Sequence, residues 1–407
     1  MRMAEWDRDR LGLYISVPFC RSKCTYCNFA SGVYPASEHA RYVDRVIQDL
    51  KAAGEWPARL GVELPRRVDT VYLGGGTPSL LAPELIERLF EAMRAEFEIE
   101  PDAEITVECA PGQIPDETLT ALVAAGMNRA SLGVQSFIDR EAQVSGRLHS
   151  RATVAEDIRR LRSAGIANLN VDLIAGLAGQ TLASWEESLA ALVDCGVPHA
   201  SVYMLEVDED SRLGREMLGG GARYYAEQVP TDDAIAQMYS IATERLGAAG
   251  LGQYEISNFS RPGFESRHNL RYWQRRPYLG LGLDAASALH AAGSREMLRS
   301  TTTDDLIAFL DGTEAAETAW FSLARQHEEA WFLGLRLNAG VNVGELELEF
   351  GQELVGRTLE VVRRLAETKL VVVSGKTVCL TEKGRLLSND VFQEFLGLGT
   401  EEEVRAF

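Results

Sequence analysis

Three cysteines, Cys20, Cys24 and Cys27, stand at CxxxCxxC spacing in GLYISVPFCRSKCTYCNF, residues 12–29. Thiolates so spaced can point at one shared centre, and soft sulfur ligands suit zinc or an iron–sulfur cluster. Structural zinc usually takes four closed ligands. Only three are local here, and the nearest histidine, His39, falls in the helical pattern that follows. A four-iron cluster on three cysteines instead leaves one iron without a protein ligand, and that iron can bind a small molecule. The cluster is the preferred reading. The alternatives are a zinc site of three cysteines and a histidine, or three buried thiols.

Other residues of chemical interest recur at one kind of place. Gly74-Gly75-Gly76-Thr77-Pro78 follows the apolar run VDTVYL, Glu108 ends EITVE, Gln135 follows SLGV, and Asp172 lies in NVDLIAGL. Glycines in a strand-to-helix turn let backbone amides approach a ligand, and a helix N-terminus adds a favourable dipole. A triple glycine alone is weak evidence, because a tight connection uses it too. A carboxylate at a strand end can accept hydrogen bonds from a ligand, or simply be an exposed loop acid.

The elements that must position these residues follow from periodicity. Strands are expected at Leu13–Val17, Val68–Leu73, Glu104–Glu108, Asn128–Val134, Ala167–Ile174 and His199–Tyr203. Pro18 ends the first by removing a backbone donor. Helical runs alternate with them at Ser37–Ala53, Pro78–Phe97, Pro115–Ala125, Arg151–Ala164 and Leu182–Cys195. Six strands alternating with helices mean parallel βαβ units, in an open doubly wound sheet or a complete or partial TIM-like barrel. Either places function at the C-terminal strand ends, where the unusual residues fall. Residues 1–240 are expected to form this core, and 241–296 a connecting region with a loop of aromatic and basic residues. Residues 297–407, with two helices and a hairpin across Gly375-Lys376, are expected to form a winged-helix-like domain.

Bulk composition narrows the classes. A chain of 407 residues can bury a sizeable core, and a net charge of −19 argues against broad affinity for nucleic acid or anionic membrane. Six cysteines are too few for a disulfide scaffold, so Cys109, Cys195 and Cys379 read as small core residues. MRMAEWDRDR carries no apolar signal region and no run approaches the ~20 apolar residues of a span, so a cytoplasmic location is expected.

CxxxCxxC followed by an aromatic residue resembles the radical S-adenosylmethionine (SAM) signature. YISVPFCRSKCTYCNF is similar to the oxygen-independent coproporphyrinogen III oxidase-like branch and, within it, to the HemW-type heme chaperones. The resemblance implies an α/β fold, a partial (βα)6 TIM-like barrel followed by a smaller α+β winged-helix-like domain. It implies a [4Fe-4S] cluster on Cys20, Cys24 and Cys27. It also implies SAM held by Tyr14, Tyr26, Gly75, Gly76, Thr77, Glu108, Gln135, Arg147 and Asp172. In such proteins a reduced cluster splits SAM to a 5′-deoxyadenosyl radical, and the protein orients SAM and excludes water.

Two features divide the branch. The oxidases show a fourth cysteine where Phe29 stands, which counts against propionate decarboxylation in porphyrin biosynthesis. His268–Trp273, HNLRYW, matches the HNxxYW motif of the heme chaperones. That match implies His268 as an axial heme ligand, with His290 as a rival, and arginines 267, 271, 275 and 276 near the propionates. The implied partners are heme or porphyrin and an apo-heme protein, with peripheral membrane association as a further expectation. The chain departs from the family at Ser16, at GLAGQT (Gly176–Thr181) and at DAAS (Asp284–Ser287), where a histidine or GLPGQT or GAHS often stands. The last change puts any role of that histidine in question. The remaining alternatives are an oxidase or another SAM-dependent radical enzyme, and a DNA-binding regulator, which the charge disfavours.

Overall fold

The structure is a computed structural model and describes residues 8–313 and 316–398. Most of the MRMAEWDRDR segment, residues 1–7, lies outside the described residues. Six parallel strands pair in chain order: β1 (Arg10–Val17), β2 (Arg67–Gly75), β3 (Glu98–Cys109), β4 (Arg129–Gln135), β5 (Asn168–Ala175) and β6 (His199–Met204). Helices α1 (Ala36–Ala52), α2 (Pro83–Glu96), α3 (Asp116–Ala124), α4 (Arg151–Ser163) and α5 (Leu182–Cys195) return between them, and α6 (Asp232–Ala248) follows β6. Helices α4 and α5 each begin with a reciprocal cap, Ser150 with Thr153 and Thr181 with Ser184, which satisfies their first free amides.

A period of two sorts each strand. Leu11, Leu13, Ile15 and Val17 face the helices, as do Ala130, Leu132 and Val134 in β4 and Leu169, Val171 and Leu173 in β5, and all are buried in one apolar core. The alternate residues face a polar lumen: Arg129, Ser131 and Gln135; Asn170 and Asp172; His199, Ser201 and Tyr203. The barrel does not close. On the β1 edge, β9 (Tyr278–Leu281) adds in parallel, and β10 (Ala286–His290), β11 (Met297–Thr301) and β12 (Glu317–Phe321) follow antiparallel. On the β6 edge, the short strands β7 (Gly252–Gln253) and β8 (Asn258–Ser260) complete the twelve-stranded sheet.

Two expectations are corrected here. The boundary expected at residue 297 falls inside the sheet, because β11 pairs with β10 and β12 with β11, and Leu298, Leu306 and Phe309 belong to the barrel's core. The HNLRYW segment is not a loop. Ser266 accepts a hydrogen bond from the Asn269 amide and starts helix α7 (Arg267–Trp273).

Helix α7 plugs the N-terminal end of the barrel, opposite the cysteines. Glu104 accepts from the amides of Arg267 and His268, each at 3.0 Å. Arg271 is 1% exposed and pairs with buried Asp69. Its chain passes where Gly12 has no Cβ, which would lie 2.5 Å from the Arg271 Cδ. His268 is fully buried, with Nδ1 2.9 Å from Thr70 Oγ1 and Nε2 2.8 Å from the Tyr272 hydroxyl.

The C-terminal unit runs α8 (Leu323–Arg336), β13 (Val341–Asn342), α9 (Val343–Phe350), α10 (Gln352–Glu367), β14 (Val371–Ser374) and β15 (Thr377–Leu380). Its three-stranded sheet and helices enclose a second core, where Trp331 stacks on Phe395 at 4.8 Å. This is the expected winged-helix-like order. Arg275 grips Glu349 through two hydrogen bonds of 3.0 and 2.8 Å, and the Arg336 guanidinium lies 4.2 Å over the Trp273 ring, so the plug also joins the two units. No helix among the described residues is long and apolar enough to cross a membrane.

Removing one partner of a buried ion pair leaves the other charge uncompensated and costs about 3–5 kcal/mol. Arg271→Met is expected to lower the urea midpoint accordingly. Arg267→Met, whose guanidinium donates to the exposed Asp102 carbonyl at 2.7 Å, is expected to lower it by about 1 kcal/mol or less. Equal midpoints for the two variants would remove Arg271 as the anchor of the plug.

Candidate functional site

Cys20, Cys24 and Cys27 line one cavity of about 550 Å³ that runs down the lumen as far as Ser266 and Asn269 at the plug. The cysteine loop is welded to the glycine loop. The Gly76 amide donates to the Val17 carbonyl and the Thr77 amide to the Phe19 carbonyl, both at 2.8 Å. A Cβ on Gly76 would lie 2.8 Å from each of those two carbonyl oxygens, so only glycine fits. The Gly75 amide donates to Glu108 at 3.1 Å.

These bonds change the reading of the glycine loop. Its amides are used inside the protein and do not point at a ligand. Nor does a long helix start there: Pro78–Leu80 is a single 3₁₀ turn and α2 begins at Pro83. What the loop has left to offer is carbonyl oxygen, an acceptor that suits an ammonium group rather than an anion.

Each sulfur has a polar neighbour. The Thr77 hydroxyl lies 3.9 Å from Cys20 Sγ, Arg147 Nη1 lies 3.5 Å from Cys24 Sγ, and the Ser31 hydroxyl lies 3.9 Å from Cys27 Sγ. The Tyr26 hydroxyl also sits against Cys24, and burial raises its pKa. Burial likewise pushes the Cys20 thiol up, with the neighbouring sulfurs adding to it. A cluster's positive irons would reverse that, since bound thiols are deprotonated. All three cysteines are free, and the donor set is all sulfur, which suits iron–sulfur chemistry. The zinc alternative finds no support from His39, whose ring is stacked on Phe19 at 3.9 Å.

Glu108 is the best-framed carboxylate. The Tyr72 hydroxyl donates to its Oε1 at 2.8 Å and Gly75 to its Oε2. Burial raises its pKa to about 7, against the Tyr72 hydrogen bond, and the charge of Asp172 adds to the rise. Asp172 accepts from Ser131 at 3.0 Å and from Asn170 at 2.7 Å, and burial raises its pKa too. Gln135 sits at φ 67, a left-handed turn at the strand end, and its buried Oε1 has no partner. Such an orphaned acceptor beside a cavity fits a ligand that supplies a donor.

The structure thus gathers Cys20, Cys24, Cys27, Tyr26, Gly75, Gly76, Thr77, Glu108, Gln135, Arg147 and Asp172 around one cavity. Tyr14 stands just behind it. Its hydroxyl would be 3.6 Å from a Cβ on Gly75, and its ring is 6.1 Å from that of Tyr72.

His268 is not brought there. It lies in the plug, with Nδ1 against the Thr70 hydroxyl and Nε2 against the Tyr272 hydroxyl. His290, the rival, is buried at the end of β10, and burial and Arg275 are among the causes that lower its pKa to about 4.

The sequence reading missed Tyr72, which orients Glu108, and the polar lumen below it. There His199 Nδ1 lies 2.6 Å from Asn170 Oδ1 and its Nε2 2.9 Å from the Tyr254 hydroxyl. A carbonyl acceptor at Nδ1 requires the proton there, so the tyrosine donates to Nε2. The signal was present: R-A-S-L-G-V-Q, N-L-N-V-D and H-A-S-V-Y alternate polar with apolar at strand period.

Comparisons with known proteins identify the family and the fold. Residues 14–192 match the family model of the radical SAM superfamily and residues 321–387 that of the HemN C-terminal domain. The chain is 32% identical over 383 residues to heme chaperone HemW of Lactococcus lactis, which covers 94% of this chain and 96% of that protein. It is 34% identical over 385 residues to heme chaperone HemW of Bacillus subtilis, at 94% and 98% coverage. The solved coproporphyrinogen III oxidase HemN of Escherichia coli, a radical SAM enzyme, superposes with a TM-score of 0.80. The superposition spans 97% of this chain and 92% of that one, at 22% identity, and shows a shared fold.

Gly76→Ala is expected to displace the cysteine loop, so that iron bound per chain after anaerobic reconstitution falls severalfold. Gly247→Ala, where nothing lies within 4 Å of the new methyl, is the matched control and keeps its iron. Full iron loading in Gly76→Ala would break the proposed link between the two loops.

Proposed function

The chain belongs to the radical SAM superfamily and, within it, to the family of the HemW heme chaperones, and on that premise we propose that it binds heme and delivers it to an apo-heme protein. The observation that carries this reading is identity above 30% with proteins named heme chaperone HemW along nearly the whole of both chains. The rival, a coproporphyrinogen III oxidase, is matched in fold at 22% identity, and Phe29 stands where the oxidase pattern has its fourth cysteine.

In this reading Cys20, Cys24 and Cys27 hold a [4Fe-4S] cluster and the lumen beside it holds SAM. When bound, the cluster supplies an open iron for SAM and an electron to it. The residues of the chain do the rest. Thr77, Arg147 and Tyr26 hold the cysteine sulfurs in place. Carbonyl oxygens of the loop at Gly75 and Gly76 accept from an ammonium group. Glu108, oriented by Tyr72, accepts from hydroxyl groups, and Gln135 and Asp172 add acceptors on the far wall. Tyr14 backs the glycine loop. The delivery takes place in the cytoplasm, and at a membrane surface where the acceptor is membrane-bound.

Two measurements test it. Hemin is expected to bind saturably to the reconstituted chain and to pass to apomyoglobin. Robust protoporphyrinogen formation from coproporphyrinogen III, SAM and a reductant under anaerobic conditions would sink the chaperone reading in favour of the oxidase.

Glu108 gives a pH test. Its carboxyl titrates near 7 in the cavity and accepts hydrogen bonds better when ionised. SAM affinity is therefore expected to rise severalfold from about pH 6 to about pH 8. Glu108→Gln is expected to bind more weakly and to lose that slope. A slope that survives the substitution would place the titrating group elsewhere, Asp172 being the neighbour to examine next.

A further inference from the structure

The cavity continues past Glu108 to a floor lined by Thr106, Arg129, His199, Ser266 and Asn269. Thr106 and Arg129 are register partners on β3 and β4, so their side chains enter the lumen side by side. Arg129 is 2% exposed. Its Nη1 donates to Asn168 Oδ1 at 2.6 Å and to the Phe264 carbonyl at 3.0 Å. Its Nε and Nη2 donate to no group of the described residues, and no carboxylate among them forms an ion pair with it.

The neighbouring charges do not take that place. Arg129, Glu104 and Glu255 all act on the Tyr254 hydroxyl, but both carboxylates are engaged elsewhere. Glu104 accepts the two plug amides, and Glu255 accepts from the Ser257 amide and faces Arg336. His199 brings no charge of its own, since burial and the Arg129 guanidinium hold its pKa well below the ordinary value. Beside Arg129, Thr106 is fully buried and its hydroxyl has no hydrogen-bond partner.

A buried cation without a carboxylate is costly, and an orphaned buried hydroxyl is rare. Here the two stand on paired residues beside one cavity. The edge of a guanidinium that carries Nε and Nη2 is the edge a carboxylate takes with two parallel hydrogen bonds. We infer that the lumen floor is a second small-molecule site, for a carboxylate-bearing ligand held by Arg129 and Thr106. The carboxylate sits on Nε and Nη2 and accepts from the Thr106 hydroxyl.

This site is separate from the place given to SAM above. Tyr72 is the register partner of Thr106 on β2, and Gly75 lies farther along the same strand. At about 3.3 Å per residue the glycine loop stands roughly 10 Å above the floor along that strand. A SAM whose ammonium meets the loop carbonyls keeps its carboxylate there too, because the two groups share one carbon. Arg129 is left for another ligand.

Acetate, the smallest methyl-bearing probe of this chemistry, is titrated into the reconstituted full chain at constant ionic strength and followed by the width of its methyl NMR line. It is expected to bind saturably with a Kd on the order of 1 mM, which Arg129→Met weakens about tenfold and Thr106→Val severalfold. Thr106→Val removes a hydroxyl that bonds to nothing in the protein, so its urea midpoint should match the wild type, and it carries the test if Arg129→Met does not fold. No saturable binding by the wild-type chain, or wild-type acetate affinity in either variant, overturns the site. SAM added after acetate should leave the acetate bound. Release of acetate by SAM would assign the guanidinium to SAM's own carboxylate and would overturn the second site as well.

Discussion

The pairing of Arg271 with Asp69 beneath the first two strands is the interaction on which the remaining architecture depends. Six strands that turn polar side chains inward make a lumen, and a lumen open at both ends would leave its donors and acceptors to bulk water. The plug helix Arg267–Trp273 closes one end. It enters because Gly12 leaves space for the arginine chain, and it stays because a buried guanidinium cannot be withdrawn from its carboxylate cheaply. Glu104 accepts the two amides that the first turn of a helix otherwise leaves free.

From that floor a continuous set of contacts climbs to the mouth. The His268 ring stacks on Tyr72 at 5.2 Å, the Tyr72 hydroxyl donates to Glu108, and Glu108 accepts the Gly75 amide. Gly76 and Thr77 then donate to the backbone just before the cysteines. The HNxxYW motif thus acts at a distance from the cysteines but not independently of them. It fixes the aromatic residue that fixes the carboxylate. On its other side, Trp273 under Arg336 and Arg275 against Glu349 carry the same helix into the C-terminal unit.

What was legible in the sequence follows the range of the physics. The parallel strands and the placing of Glu108, Gln135 and Asp172 at their ends depend on local periodicity and on a general rule of βα units, and both are visible in one dimension. The cysteine spacing is likewise local. The plug was not legible, because HNLRYW reads as an aromatic and basic loop until Thr70, Glu104 and Gly12 are seen around it. The end of the barrel unit was misplaced for a related reason. β11 belongs to the sheet through pairing with β10 and β12 through pairing with β11, and pairing partners are not written in the strand itself. The use of the glycine-loop amides within the protein was hidden in the same way.

The polarity of the lumen sets the ligand chemistry that it can receive. Glu108 and Asp172 are half-buried in the lumen wall, and desolvation there makes each harder to ionise, Glu108 also because of the other's charge. Such a pair is satisfied by a ligand that brings positive charge and donors, and a sulfonium with an ammonium and ribose hydroxyls brings both. Binding such a ligand would favour the ionised carboxylates, and the unpartnered Gln135 Oε1 adds a further acceptor in the same cavity.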